Sequence, residues 1–200
     1  KLKGVKRNSV DRTITPVVTL KQKEIRENYN AMTLSFAGNW SLEFRAYDNG
    51  AAYRFITASK SDLTILDETA EFVLPADATA YMSYVGTHET MYEEPYTAKK
   101  MTDMDPSDEF SYLPILAVSD NWRMMISESD LYDYPGMFLR ANNHNTLNTV
   151  MPKVISEYSI DGHKQAAAGY AKYIAKTSGT RTFPWRAVTL TKDDASMVLS

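Results

Sequence analysis

The sequence predicts an all-β chain, and three observations carry that expectation. The dominant hydrophobic period is two, short apolar runs alternate with polar turns, and Tyr, a strand-favouring residue, occurs 13 times in 200 positions. Many short strands separated by turn chemistry argue for a sandwich or a barrel.

In chain order, the first strands are expected at residues 15–20, TPVVTL, and 30–36, NAMTLSF. Between them LKQKEIRENYNAM, residues 20–32, has a composition that could begin as a helix. Trp40 to Tyr47 alternates Leu42, Phe44 and Ala46 against Glu43 and Arg45, meets Asp48-Asn49-Gly50, and resumes as AAYRFIT. Asn-Gly between alternating runs predicts a hairpin whose turn residues take positive φ. Further strands are expected at EFVLP (71–75) and TAYMSYVG (79–86). A second hairpin is expected where Ser119-Asp120-Asn121 divides FSYLPILAVSDNWRMMISES. Two more strands follow, at KVISEYSI (153–160) and FPWRAVTLT (183–191). Residues 164–176 are Ala-rich, and local propensity favours a helix there. No internal repeat or Pro/Gly-rich linker divides the chain, so residues 1–200 read as one domain.

Composition removes several classes of function. A net charge of −3 and a pI near 5.7 argue against a nucleic-acid partner, because phosphate neutralisation needs clustered Lys and Arg, and the one basic cluster is Lys1 to Arg7. Cysteine is absent, which removes thiol catalysis, thiolate metal sites and disulfides together. No apolar run reaches the roughly 18 residues of a membrane span, and no signal-like segment opens the chain. The first residue is not Met, so a mature or excised segment of a longer protein is expected.

The residues that could carry chemistry are few. His88, His144 and His163 lie in polar, turn-like contexts without zinc-site spacing, and no nucleophile elbow, P-loop or dinucleotide fingerprint occurs. HETMYEEPYT, residues 88–97, reads as an acidic, Tyr-containing loop. MMISESDLYDYPGMFL, residues 124–139, places Glu128, Asp130 and Asp133 at a strand end ahead of Tyr134-Pro135-Gly136. Such carboxylates suit an oxygen-only cation site, though not with the spacing of an EF-hand loop, and on spacing alone a solvated strand end is the plainer reading. Paired carboxylates also serve glycosidases, at a separation that sequence spacing does not supply.

Five stretches carry a resemblance to a known family: VKRNSVDRTITPV, EIRENYNAMTLSF, EFRAYDNGAAYRF, ISESDLYDYPGMFL and AKTSGTRTFPWRAVTLTKDD. In this order, from about residue 3 to 194, they resemble the N-terminal domain of glycoside hydrolase family 97, bacterial α-glucosidases and α-galactosidases of carbohydrate utilisation. The resemblance implies a large two-sheet antiparallel β-sandwich, a supersandwich similar to galactose mutarotase, with few short helices. It implies packing on a (β/α)8 barrel that carries the catalytic carboxylates and binds the oligosaccharide, so this chain alone is not catalytic. It also implies one glutamate lent to a calcium ion at the active site, and Glu128 is the position that matches.

A periplasmic location follows from the same resemblance. Residues from Tyr173 onward are then extended, with 164–172 open between the two readings. An apolar barrel-facing patch is expected near Tyr134, Met137 and Phe138. The alternative is a freestanding carbohydrate-binding sandwich using Trp40, Trp122 or Trp185, with core or interface packing the plainer role for those rings. Glucosidase against galactosidase, and retention against inversion, depend on residues outside the chain.

Overall fold

The computed structural model describes residues 1–19, 21–142 and 144–200. A meander opens the chain: β1 (Leu2–Ile14), β2 (Ile25–Phe36), β3 (Trp40–Tyr47) and β4 (Gly50–Ala58) pair antiparallel in sequence order. Shorter elements follow as β5 (Leu63–Ile65), β6 (Glu71–Val73), β7 (Thr79–Val85) and β8 (Thr97–Lys100). The long hairpin β9 (Phe110–Ser119) and β10 (Trp122–Ser129) precedes β11 (Phe138–Ala141) and β12 (Thr146–Val150). The chain ends with β13 (Ile155–Asp161), β14 (Lys164–Tyr170), β15 (Ala175–Thr177), β16 (Thr180–Thr182) and β17 (Trp185–Thr191). A helix of six residues, α1 (Asp194–Leu199), follows, its Asp193 cap accepting from the Ser196 N–H at 2.8 Å.

The fold is all-β, as the period-two pattern predicts. Thirteen strands join in one sheet whose main path runs β1-β2-β3-β4-β17-β10-β9-β11-β12-β6. β7 lies along the other edge of β9 with β8 beyond it, and β16 pairs β4 next to β17. Two small sheets pair β13 with β14 and β5 with β15. β1 is the terminal strand of the main path, and of its thirteen residues only Val10 is even partly covered.

Register fixes which side chains meet. Tyr53 lies opposite both Phe44 and Arg186, Arg186 opposite Glu128, and Ile126 opposite Ile115, so these residues share the inner face. That face supplies the core, where Ala80, Met82, Ile115, Ala117, Ile126, Leu139 and Leu147 are completely buried. Each large side chain there contributes about 1.5–3 kcal/mol of burial. The outer face is a polar ladder: Trp185 lies between the guanidiniums of Arg45 and Arg54, at 4.4 and 4.3 Å, and Glu43 accepts from both arginines.

Three expectations are corrected. The strand expected at 15–20 is not formed over residues 15–19, which connect β1 to β2 with Val17 fully exposed; Leu20 lies outside the described residues. Pro16 has no N–H to give a ladder. The helix suggested for 20–32 gives way to β2 from Ile25, because the whole run finds cross-strand partners in β1. The helix favoured for 164–176 gives way to β14 and β15, since Ala166 and Ala167 are paired with β13 and Ala175 with β5. From Tyr173 onward the extended reading holds.

Both predicted hairpins are present, but Asp48-Asn49-Gly50 works differently from the expected turn. Tyr47 pairs with Gly50 across Asp48 and Asn49, and none of the three takes positive φ. Gly50 is needed for close approach instead: a Cβ there would lie 2.3 Å from the Val188 carbonyl oxygen of β17. Gly50→Ala is therefore expected to cost about 1–3 kcal/mol as backbone is pushed apart, read as a lower urea midpoint at unchanged slope.

Candidate functional site

β10 and β17 run side by side, which places Glu128 and Arg186 directly opposite on the inner face. The Arg186 guanidinium, 2 % exposed, donates from Nη1 to Glu128 Oε2 at 2.5 Å. Its other edge forks onto Glu68, from the segment between β5 and β6, with Nε to Oε1 at 2.7 Å and Nη2 to Oε2 at 2.8 Å. The Tyr134 hydroxyl donates to Glu68 Oε2 at 3.0 Å. The chain returns through Pro135-Gly136, so the Met137 N–H donates to the Glu128 carboxylate at 3.1 Å from Oε2 and 3.3 Å from Oε1.

Two carboxylates around one guanidinium leave this centre one negative charge in excess. Burial pushes the Glu128 carboxyl above its ordinary range, and the Arg186 charge offsets only part of that. For Arg186, burial opposes the charge, yet hydrogen bonding and attraction from Glu68, then Glu128, hold it above its usual value. Burial, then the Glu68 charge, raises the Tyr134 hydroxyl, which stays a donor. Glu68 answers Arg186 through two hydrogen bonds and Glu128 through one, and burial works against the Glu128 charge.

Glu128, Asp130 and Asp133 do not converge. Asp130 is paired with Arg54 at 3.5 Å and Asp133 with Arg181 at 3.2 Å, so each of the three carboxylates faces a different arginine. Among the described residues no three His, Asp or Glu side chains are placed to hold a metal ion. Nor is Glu128 a solvated strand end, since its side chain is 14 % exposed.

Tyr134, Met137 and Phe138 do not contribute to the apolar patch expected near them. These residues are 9 %, 1 % and 2 % exposed and belong to the core, because the return from Gly136 turns them inward. Trp185 is clamped between arginines, Trp122 packs against the core, and Trp40 stacks on Phe36 at 4.1 Å. His88 stacks on Phe110 at 4.5 Å, where burial lowers its pKa; His144 and His163 are exposed.

Sequence reasoning missed Glu68 and Arg186. Arg186 had a signal: a charged residue inside PWRAVTL, at a position that alternation assigns to the inner face, demands a buried partner. Glu68, 118 positions away, had none, since LDETAEF reads as an ordinary polar connection.

Fold and site together define an all-β domain with a largely buried centre in which, among the described residues, two carboxylates share one guanidinium. The chain belongs to the glycosyl-hydrolase 97 N-terminal family, whose model matches residues 1–200. It is 32% identical to the retaining alpha-galactosidase of Bacteroides thetaiotaomicron, over 98% of this chain and 32% of that protein, and so spans about a third of the relative's length. A glycoside hydrolase family 97 enzyme from Pseudoalteromonas sp. strain K8, in complex with acarbose, has the same fold, at TM-score 0.71 and 19% identity over 96% of this chain and 28% of that one. A beta-arabinopyranosidase aligns at TM-score 0.73 and 20% identity, over 96% of this chain and 32% of that one.

Proposed function

We propose that this chain is the non-catalytic N-terminal domain of a glycoside hydrolase, packing on a (β/α)8 catalytic domain and lending Glu128 to a calcium ion there. The observation that carries this reading is the excess negative charge of the Glu68–Arg186–Glu128 centre, located on the carboxylate whose charge the fold disfavours. Calcium takes hard oxygen ligands, and among the described residues Glu128 Oε1 accepts one long N–H contact, which leaves it lone pairs for a cation. One carboxylate is a single ligand, so the remaining ligands come from the catalytic domain. A calcium ion in such a site supplies a fixed positive charge that orients substrate and stabilises developing charge. This chain's residues hold Glu128 in place: Arg186 fixes Oε2, Met137 fixes the carboxylate plane, and Glu68 with Tyr134 fixes Arg186.

The retaining alpha-galactosidase relative supports α-galactosides as the substrate class, and α-glucosides are the other class that the family resemblance implies. A periplasmic location belongs to the same proposal. The direct test is activity. The 200-residue chain is expected to release nothing above buffer from aryl α-glucosides or α-galactosides, and robust hydrolysis by pure material would overturn the division of labour.

A further inference from the structure

β10 ends at Ser129, and the chain turns back through residues 130–137 before β11. Asp130 and Asp133 both take positive φ, at 61° and 46°, a backbone that costs energy and persists where its surroundings over-determine it. Two arginines supply those surroundings: Arg54 Nη1 lies 3.5 Å from Asp130 Oδ2, and Arg181 Nη2 donates to Asp133 Oδ1 at 3.2 Å and to the Tyr132 carbonyl at 3.3 Å. The Arg181 side chain is only 10 % exposed, with its guanidinium 4.9 Å from the Phe183 ring and 5.6 Å from the Tyr134 ring. The loop is thus braced from beneath, and it leaves Tyr132 74% exposed.

Tyr132 borders a cleft of about 290 Å³, lined otherwise by Asp130, Asp133, Ser178, Arg181 and Thr182. Pairing of β16 with β4 brings Arg181 and Thr182 to it. The cleft neighbours Glu128: a Cβ on Gly136 would lie 3.2 Å from Glu128 Oε1 and 3.7 Å from the Leu131 side chain, so the residue before Tyr132 sits beside that oxygen. Charge narrows the class of ligand. Each aspartate is answered by an arginine, so the cleft holds no excess charge with which to draw an ion out of water. Ser178 and Thr182 are exposed and add hydroxyls, and Asp133 has Oδ2 free of a protein donor among the described residues. Tyr132 adds a flat apolar face. An uncharged ring that carries hydroxyls at its edge and C–H groups on its face matches this set, which describes a pyranose. The volume is at the lower end for ligand pockets and suits a single ring.

We infer that this cleft is a sugar subsite, in which the Tyr132 ring packs on one pyranose of an oligosaccharide while Asp133, Ser178 and Thr182 hydrogen-bond its hydroxyls. The inference rests on the function proposed above and gives the chain a second part in it. Glu128 serves the ion, and the cleft holds a sugar ring that lies outside the bond being cleaved. The ring is a substrate-binding residue, and the two arginines are positioning residues that act through the loop.

Tyr132→Ala in the longer protein tests this, with raffinose and maltotriose as probes. In calorimetry with calcium chelated, the wild type is expected to bind one of the two trisaccharides saturably. Tyr132→Ala is expected to weaken that binding at least about tenfold, the scale for truncating an aromatic anchor. Tyr132→Phe keeps the ring face and is expected to bind like the wild type. With calcium restored, KM for the trisaccharide should rise in Tyr132→Ala, while KM for the matching glycosyl fluoride, which offers the cleft no further ring, stays unchanged. Calcium affinity should stay unchanged as well. Binding of neither trisaccharide by the wild type, or equal binding by Tyr132→Ala, would overturn the subsite. A fall in calcium affinity in Tyr132→Ala would make the ring a support of Glu128 and overturn it too. If Glu128→Gln leaves calcium affinity untouched while Tyr132→Ala loses the sugar, the ion falls and the sugar subsite stands.

Discussion

Arg186→Met is expected to remove about 3–5 kcal/mol of stability from the 200-residue chain, the range for breaking a buried ion pair by deleting one partner. The methionine fills much of the arginine stem's volume but leaves Glu68 and Glu128, 8 % and 14 % exposed, facing each other without a cation. Arg186→Lys is expected to rescue little, because one ammonium cannot serve the fork to Glu68 and the third contact to Glu128 at once.

The loss has a pH signature. Without the guanidinium the Glu128 carboxyl, already raised by burial, loses the charge that offsets part of that burial, so its protonated form favours the folded state below the ordinary carboxylate range and that stability is lost as pH rises through the raised value. The gap between variant and wild type therefore narrows from pH 7 to about pH 4. Urea titrations at the two pH values measure it, and a loss below about 1 kcal/mol at pH 7 would mean that the triad is solvated.

The second large effect concerns Glu128→Gln in the longer protein. Calcium affinity is expected to fall by at least about 10–100-fold, the range for losing a mere support of a metal ligand, with activity lost at low calcium and partly restored by adding more. Stability should change little, since Glu68 still answers Arg186 through two hydrogen bonds and burial already disfavours the Glu128 charge. Asp130→Asn, whose carboxylate faces Arg54 on the outer side, is expected to leave calcium affinity unchanged. Calcium calorimetry and a chelator-buffered activity titration separate these outcomes. Identical curves for Glu128→Gln and wild type would remove Glu128 from the ion.

What was legible in the sequence was local. The β3–β4 and β9–β10 hairpins were readable because Asp48-Asn49 and Asp120-Asn121 interrupt runs whose alternation matches the strand pleat. Glu128, Asp130 and Asp133 stood out together because a strand end and Pro135-Gly136 bracket them, and the family resemblance alone singled out Glu128. The failures came where a distant partner decides. Ala166 and Ala167 favour helix alone, but pairing with Ser159 and Tyr158 overrides that propensity. Tyr134, Met137 and Phe138 read as a surface patch until the chain's return against β9 and β12 buried them. The Arg186–Glu68 fork spans 118 positions, and no window along the chain contains both ends.

The terminal position of β1 bears on how the domain behaves in solution. It bonds to β2 along one edge, and its other edge has no strand among the described residues, so a row of amide donors and acceptors faces water. Lys3, Lys6 and Arg7 on that strand favour repulsion between two such edges, while Arg12 is paired with Glu27. Repulsion of this kind reaches about 10 Å in 0.1 M salt and about 3 Å in 1 M. Association of the 200-residue chain through this edge is therefore expected to rise with ionic strength, which sedimentation at 0.1 M and 1 M salt would measure.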